Sequence, residues 1–306
     1  MSLPRQIDPG TTYLLTRRAL LRHLLFRPDA AITQLITYAL AVSAQRHGVQ
    51  VHALCAMSTH LHIVMTDVKG VLPCFLRSFH RLVALGTKVL RAWEGPVWGH
   101  EATSAVRLLT REAVITEIVY TLANPVVAGL VERSGDWPGA KVLVDEIGRG
   151  TLQAARPDVY FNSANPAWPE VAALPISLPP CIEEGDAEAF RRQVAAELSQ
   201  AEAKARGEIS SRGAAILGAE RASEVSPLDR ASSVEARGQR NPTFAVGRGN
   251  VDALRRAADA VRAFRLAYRT ALDRWRTGVR SVVFPEGTWW MRIFHAVSVC
   301  AAEPIS

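Results

Sequence analysis

Cysteine is scarce in this 306-residue chain: Cys55, Cys74, Cys181 and Cys300 stand far apart and form no C-x-x-C pair. That spacing excludes a thiolate zinc site and a disulfide framework, and a reducing cytoplasm is the simplest compartment. Long apolar runs are also missing. The most apolar early stretch, residues 13–26, is broken by Arg17, Arg18, Arg22 and His23. Nothing approaches the roughly 18 to 20 apolar residues of a membrane helix, and residues 1–10 lack the apolar centre of a signal peptide. The expectation is a soluble, cytoplasmic protein without membrane contact. Acidic residues are in deficit, 29 against 36 lysines and arginines, for a net charge of +7. Such a balance speaks to partners, and a polyanion such as nucleic acid fits it. Hydrophobic residues at 48% exclude a wholly disordered chain. The length allows one sizeable core or two smaller ones.

What is present reads as alternating elements. Residues 11–18 and 49–57 are rich in β-formers, and 61–66 make a third strand after a Ser58-Thr59 turn. Residues 29–47 have helical spacing between an Asp29 cap and Gly48. Residues 72–93 form a long helix that tolerates Pro73 in its first turn. Residues 96–109 read as extended or looped. Residues 111–123 form a helix capped by Thr110, and the Asn124-Pro125 pair is expected to stop it. This order predicts an α+β fold, an antiparallel sheet covered by helices. After about residue 150 the character changes: 157–180 is proline-rich and irregular, and 207–250 is a Ser/Gly/Arg-rich surface segment. Between and beyond them, 186–206 forms a helix on Phe190, Val194, Leu198 and Ala201. Residues 251–277 form another on Leu254, Ala258, Val261, Phe264, Tyr268, Leu272 and Trp275. The chain thus divides at 1–150 and 151–306, the second part mainly helical and basic.

Two constellations carry chemistry. His60 and His62 are two apart at the start of a strand, so their imidazoles share one face and can converge on an ion. The plainer reading is two half-buried sheet histidines. Tyr120 and Asn124 are four apart on a helix and share a face, so a phenol and an amide oxygen can point together. The plainer reading there is a core tyrosine and a helix-ending asparagine. The other tyrosines have no Asn or Gln four residues later, and His52 reads as structural.

Taken together, these motifs resemble a known family. His60-Leu61-His62 is similar to the HUH signature, and Tyr120 with Asn124 to the single-tyrosine helix of the IS200-like transposases. Met57-Ser58-Thr59-His60-Leu61-His62 and the run Tyr120 to Val131, with Asn124, Pro125, Ala128, Gly129 and Leu130, most resemble the REP-associated tyrosine transposases. Trp137-Pro138-Gly139 adds to the likeness, which covers roughly residues 10–145. Thr59 stands where the family usually has asparagine. The resemblance implies an HUH, ferredoxin-like palm, with His60, His62 and Asn124 as ligands of Mg²⁺ or Mn²⁺. Tyr120 would be the nucleophile that cuts and rejoins single-stranded DNA through a 5′-phosphotyrosine. It also implies hairpin-forming DNA as partner, a nucleoid-associated location and, in some relatives, a homodimer.

Arginine supplies the remaining signal. Between Arg237 and Arg280 lie 11 arginines against Asp252, Asp259 and Asp273, a local balance above that of the entire chain. Arg255, Arg262, Arg269 and Arg276 recur every seven residues, with Arg265 close by, as one helical stripe suited to phosphates. Arg17 and Arg18 on the first strand are further phosphate candidates. The segment from Phe284 to Trp290 offers aromatic rings for unpaired bases. Two alternatives stay open: a catalytically silent protein that binds DNA hairpins, and an unrelated H-x-H metal-dependent hydrolase with no use for Tyr120.

Overall fold

The computed structural model describes residues 4–232 and 242–300; Arg237 and Arg240 of the basic segment lie outside them. In chain order its elements are β1 (Thr11–Arg18), α1 (Ala30–His47), β2 (Val49–Met57), β3 (His60–Asp67), α2 (Leu72–Arg91), β4 (Ser104–Leu108) and α3 (Arg111–Val127). There follow β5 (Thr151–Ala155), β6 (Val171–Pro175), α4 (Ala187–Ser211), α5 (Ala219–Glu224) and β7 (Phe244–Ala245). The last are α6 (Val251–Arg276), β8 (Val283–Phe284), α7 (Trp290–His295) and β9 (Ser298–Val299).

The fold is α+β. One sheet runs β2-β3-β1-β4-β7, antiparallel throughout except that β7 joins the β4 edge in parallel. The expected antiparallel sheet is therefore mixed at one edge, because the chain returns to it from the C-terminal half. Two further strand pairs, β5-β6 and β8-β9, lie outside this sheet. The β5-β6 hairpin falls partly in the proline-rich stretch that reads as irregular. Among the described residues no helix is long and apolar enough to cross a membrane.

Local chemistry fixes the elements that frame the sheet. The Asp29 carboxylate accepts from the Ile32 N–H at the start of α1, and Gly48 ends it in the left-handed region at φ 68°. Most of α1 is buried from Ile32 to Ala44. A helix apolar nearly all round must be covered on several sides. Here α2 and β2 take one side and the β5-β6 hairpin another. Tyr38 carries the second contact, its hydroxyl donating to the Pro169 carbonyl at 2.6 Å and its ring meeting Phe161 at 5.0 Å. Between α1 and α2 the backbone comes close at Gly86, where a Cβ would stand 2.4 Å from a Leu35 methyl. Asp67, at the end of β3, caps α2 with both oxygens, accepting from Val71 N at 2.9 Å and Leu72 N at 2.7 Å.

Helix α3 does not stop before Pro125. It continues to Val127 with the proline inside it, and Asn124 stays helical. The stop is Gly129 at φ 70°: its N–H donates to Val126, and the Leu130 N–H donates to Pro125, both at 2.9 Å. That pair of bonds is a Schellman closure, and it outweighs the preference of a pre-proline residue for extended backbone. Helix α4 packs along α3 with Phe190, Val194 and Leu198 buried, and it runs past residue 206 to Ser211. At about 1.5–3 kcal/mol for each fully buried side chain, this seam is a main support of α3.

Candidate active site

The strand register sets the site. Thr16 lies opposite His62 and Arg18 opposite His60 across the β1-β3 ladder. Alternation puts Thr16, Arg18, His60 and His62 on one face of the sheet and Arg17 and Leu61 on the other. The first face is covered by α3, which brings Tyr120 and Asn124 over the histidines. The His60 and His62 ring centroids are 4.6 Å apart, and the Tyr120 ring stands edge-on to His62 at 5.1 Å. The Asn124 amide nitrogen is 3.2 Å from His62 Nε2.

Each imidazole is held by its far nitrogen. His62 Nδ1 meets the Thr16 hydroxyl at 3.0 Å, and His60 Nδ1 meets the Thr59 hydroxyl at 2.8 Å. With Nδ1–H donating to these hydroxyls, both Nε2 lone pairs are left toward the site, the tautomer a metal ligand needs. The Asn124 N–H donating to His62 Nε2 agrees with this assignment, because only an unprotonated Nε2 accepts. Turning the amide about its last bond sets Oδ1 in the same place. The donor set of two imidazoles and one amide oxygen thus fits a divalent cation with room for water and phosphate.

Burial keeps the histidines neutral. Desolvation, with Arg18 beside it, lowers His60 to about 4, and desolvation with His60 and Arg18 nearby holds His62 well below 6.5. Tyr120 is 47% exposed, so its ring is open to a large substrate. Partial desolvation and the Glu117 carboxylate push its phenol above 10, while Arg18 and the hydrogen bond to Asn124 pull it back. Glu117 is itself raised by burial.

The structure separates the two strand arginines. Arg18 faces the histidines and the tyrosine. Arg17 points the other way, donating to the Gly99 carbonyl at 3.1 Å and to the Glu101 carbonyl, with its guanidinium 5.7 Å from the Trp98 ring. It belongs to the loop before β4, so of the two phosphate candidates on β1 only Arg18 faces the histidines. In α6, Arg255, Arg262, Arg269 and Arg276 are exposed and Arg265 is half-buried, on a helix packed chiefly against β8. Arg262 is paired with Asp259. Of the apolar stripe expected on α6, Phe264 is buried, Ala258, Val261, Tyr268, Leu272 and Trp275 are half-buried and Leu254 is exposed; the other buried positions are Ala257 and Ala271. Of the two C-terminal tryptophans, Trp289 is buried in the main core and only Trp290 is exposed.

Thr16, Thr59 and Glu117 were not singled out by sequence. Thr16 becomes visible only with the register; Thr59 sits where the motif departs from the family, and here it supplies the His60 partner. Glu117 is one helical turn before Tyr120, a spacing that the sequence does carry. His52 is fully buried and structural: it bonds the Ser177 carbonyl at 2.9 Å and the Thr66 hydroxyl at 2.8 Å.

Fold and site together define an α+β protein in which a His-x-His strand meets a Tyr-x-x-x-Asn helix within one chain. No protein-family model matches the chain, and no curated protein does. The solved structure of a REP-associated tyrosine transposase bound to a REP hairpin is similar to it, at 19% identity and a TM-score of 0.39, over 54% of this chain and 96% of that one. A Deinococcus radiodurans R1 protein described as a transposase is similar at 18% identity and a TM-score of 0.29, over 40% of this chain and 97% of the other.

Proposed function

We propose that this protein cuts and rejoins single-stranded DNA through a covalent bond to Tyr120. The observation that supports this best is the convergence of Tyr120, Asn124, His60 and His62 on one side of the sheet, with Arg18 beside them. An H-x-H hydrolase would have no use for a tyrosine brought to 5.1 Å from the second histidine, and a silent hairpin-binding protein would have no need of the intact set.

In this reading Tyr120 Oη attacks phosphorus, the P–O3′ bond breaks, and the proton lost by the phenol ends on the departing 3′-oxygen. The product is a 5′-phosphotyrosine and a free 3′-hydroxyl. Attack by another 3′-hydroxyl on that ester releases Tyr120 and joins the strands without ATP. His60, His62 and Asn124 would hold Mg²⁺ or Mn²⁺, whose chemistry when bound is to draw charge from a non-bridging phosphate oxygen. Arg18 sits where a guanidinium can share that charge and favour the phenolate. The substrate we assign is a single strand with a hairpin.

The test is a denaturing gel of protein mixed with labelled hairpin oligonucleotides taken from DNA flanking its gene, with and without Mg²⁺ or Mn²⁺. A covalent adduct is expected that requires the metal and disappears in Tyr120→Phe. Tight hairpin binding without any adduct would favour the silent binder instead.

A further inference from the structure

We propose that the C-terminal segment carries a second, separate platform for single-stranded DNA, built on Trp290 and Phe294. These rings lie against each other at 4.1 Å between centroids, tilted by 34°, yet they are 58% and 48% exposed. With Ile293, also 52% exposed, they make an apolar patch on one short helix. The patch is held rigidly. Trp289 before it is buried in the main core and touches Phe294 at 5.9 Å, while Met291 is buried in the small cluster of Phe284 and Ala271. Exposed aromatic rings fixed from behind lose little entropy when a flat partner stacks on them.

The charge around the patch selects the partner. Arg292 is exposed on the same helix, and next along the chain His295 meets Trp275 at 5.0 Å, whose other neighbour is Arg280 at 4.3 Å. Between residues 259 and 295 there are seven arginines against Asp259, Asp273 and Glu286, with Arg262 paired to Asp259. Aromatic faces interleaved with guanidinium groups match a chain of bases on a phosphate backbone. An apolar protein partner would not call for this excess of cations, and a duplex would hide its base faces from the rings. Only the choice of DNA over other single strands rests on the strand-transfer reading; the stacking surface does not.

The experiment compares the full chain with a Trp290→Ala/Phe294→Ala variant by fluorescence anisotropy, using labelled oligo-dT that forms no hairpin and a duplex of equal length. The variant is expected to bind oligo-dT about tenfold more weakly for each ring removed, with duplex binding unchanged. Trp290→Phe should retain most of the affinity. The Tyr120 adduct on a hairpin substrate without a single-stranded tail should form equally in all. Unchanged oligo-dT binding in the folded double variant would overturn the platform, as would a sedimentation shift showing that the patch joins two copies of the chain. If oligo-dT binding falls as expected while no adduct forms in any protein, the platform stands and the strand-transfer reading fails.

Discussion

Alternation along β1 gives two neighbouring arginines opposite duties. Arg18 faces the histidines and lowers the cost of negative charge at Tyr120, whereas Arg17 is bonded to the backbone of the loop before β4. Arg18→Ala is therefore expected to cut the rate of adduct formation by about 10²-fold, the scale seen when one charge-stabilising donor is lost, with little change in melting temperature. Arg17→Ala is expected to do the reverse, costing about 1–3 kcal/mol through the carbonyls left unpaired while leaving the adduct rate near that of the parent. Rates from quenched time courses, set beside thermal melts, separate the two. Equal kinetic effects of both substitutions would mean that the sheet faces are wrongly assigned. The sequence showed this pair but not its division, because a side chain's face depends on the register, and the register on the partner strand.

At the level of elements, much was legible. The Asp29 cap, the Gly48 stop and the His-x-His strand were all readable, because each follows from contacts within a few residues. The end of the helix carrying Tyr120 was less legible: the Asn124-Pro125 pair reads as a stop, but Gly129 ends the helix. The consequence is functional: Asn124 remains on the same helical face as Tyr120 instead of turning away with a broken helix. Gly129→Ala tests the closure. Nothing crowds the added methyl, the nearest atom being Ile209 Cδ1 at 3.7 Å, so the cost comes from φ +70° alone. About 1 kcal/mol of stability should be lost, a melting shift of a few degrees, with the adduct retained. The β5-β6 hairpin was missed for another reason: its stability comes from packing on α1, and its own sequence is short and interrupted by proline.

Across the whole molecule, buried neutral histidine predicts how stability responds to acid. His52 is fully buried, and desolvation lowers it to about 4, against 6.5 for a free imidazole. Below pH 6.5 the unfolded chain binds a proton that the folded chain refuses, so stability is complete above that pH and falls as pH drops toward 4. A shift of this size corresponds to roughly 3 kcal/mol from one group. Urea midpoints at pH 7.5, 6 and 5 should decline in that order, and His52→Gln, which cannot titrate, should flatten the slope whatever its effect at neutral pH. An unchanged slope in that variant would place the acid sensitivity elsewhere.

The same scale decides where the chain can be cut. Strands β1 to β4 and helices α1, α2 and α3 are complete by residue 127, but their outer faces are not covered until later. Phe161 closes over Tyr38, Leu174 and Ile176 join the core beside α1, and Phe190, Val194 and Leu198 seal α3. A chain ending at residue 150 would leave these surfaces in water, and at about 1.5–3 kcal/mol for each buried side chain lost the cost is comparable to the roughly 5–15 kcal/mol by which a typical domain is stable. It is expected to be insoluble or to lack a cooperative melt. A chain ending at residue 232 keeps the hairpin and α4 and loses β7, α6 and the Trp289 contact. It should melt cooperatively at a lower temperature and still form the Tyr120 adduct, while its affinity for oligo-dT drops with the loss of the C-terminal rings and arginines. Circular-dichroism melts and the adduct gel on the two truncations read both outcomes. A soluble, cooperatively folded 1–150 chain would show that this half needs none of this cover, and that α4 is only an addition to it.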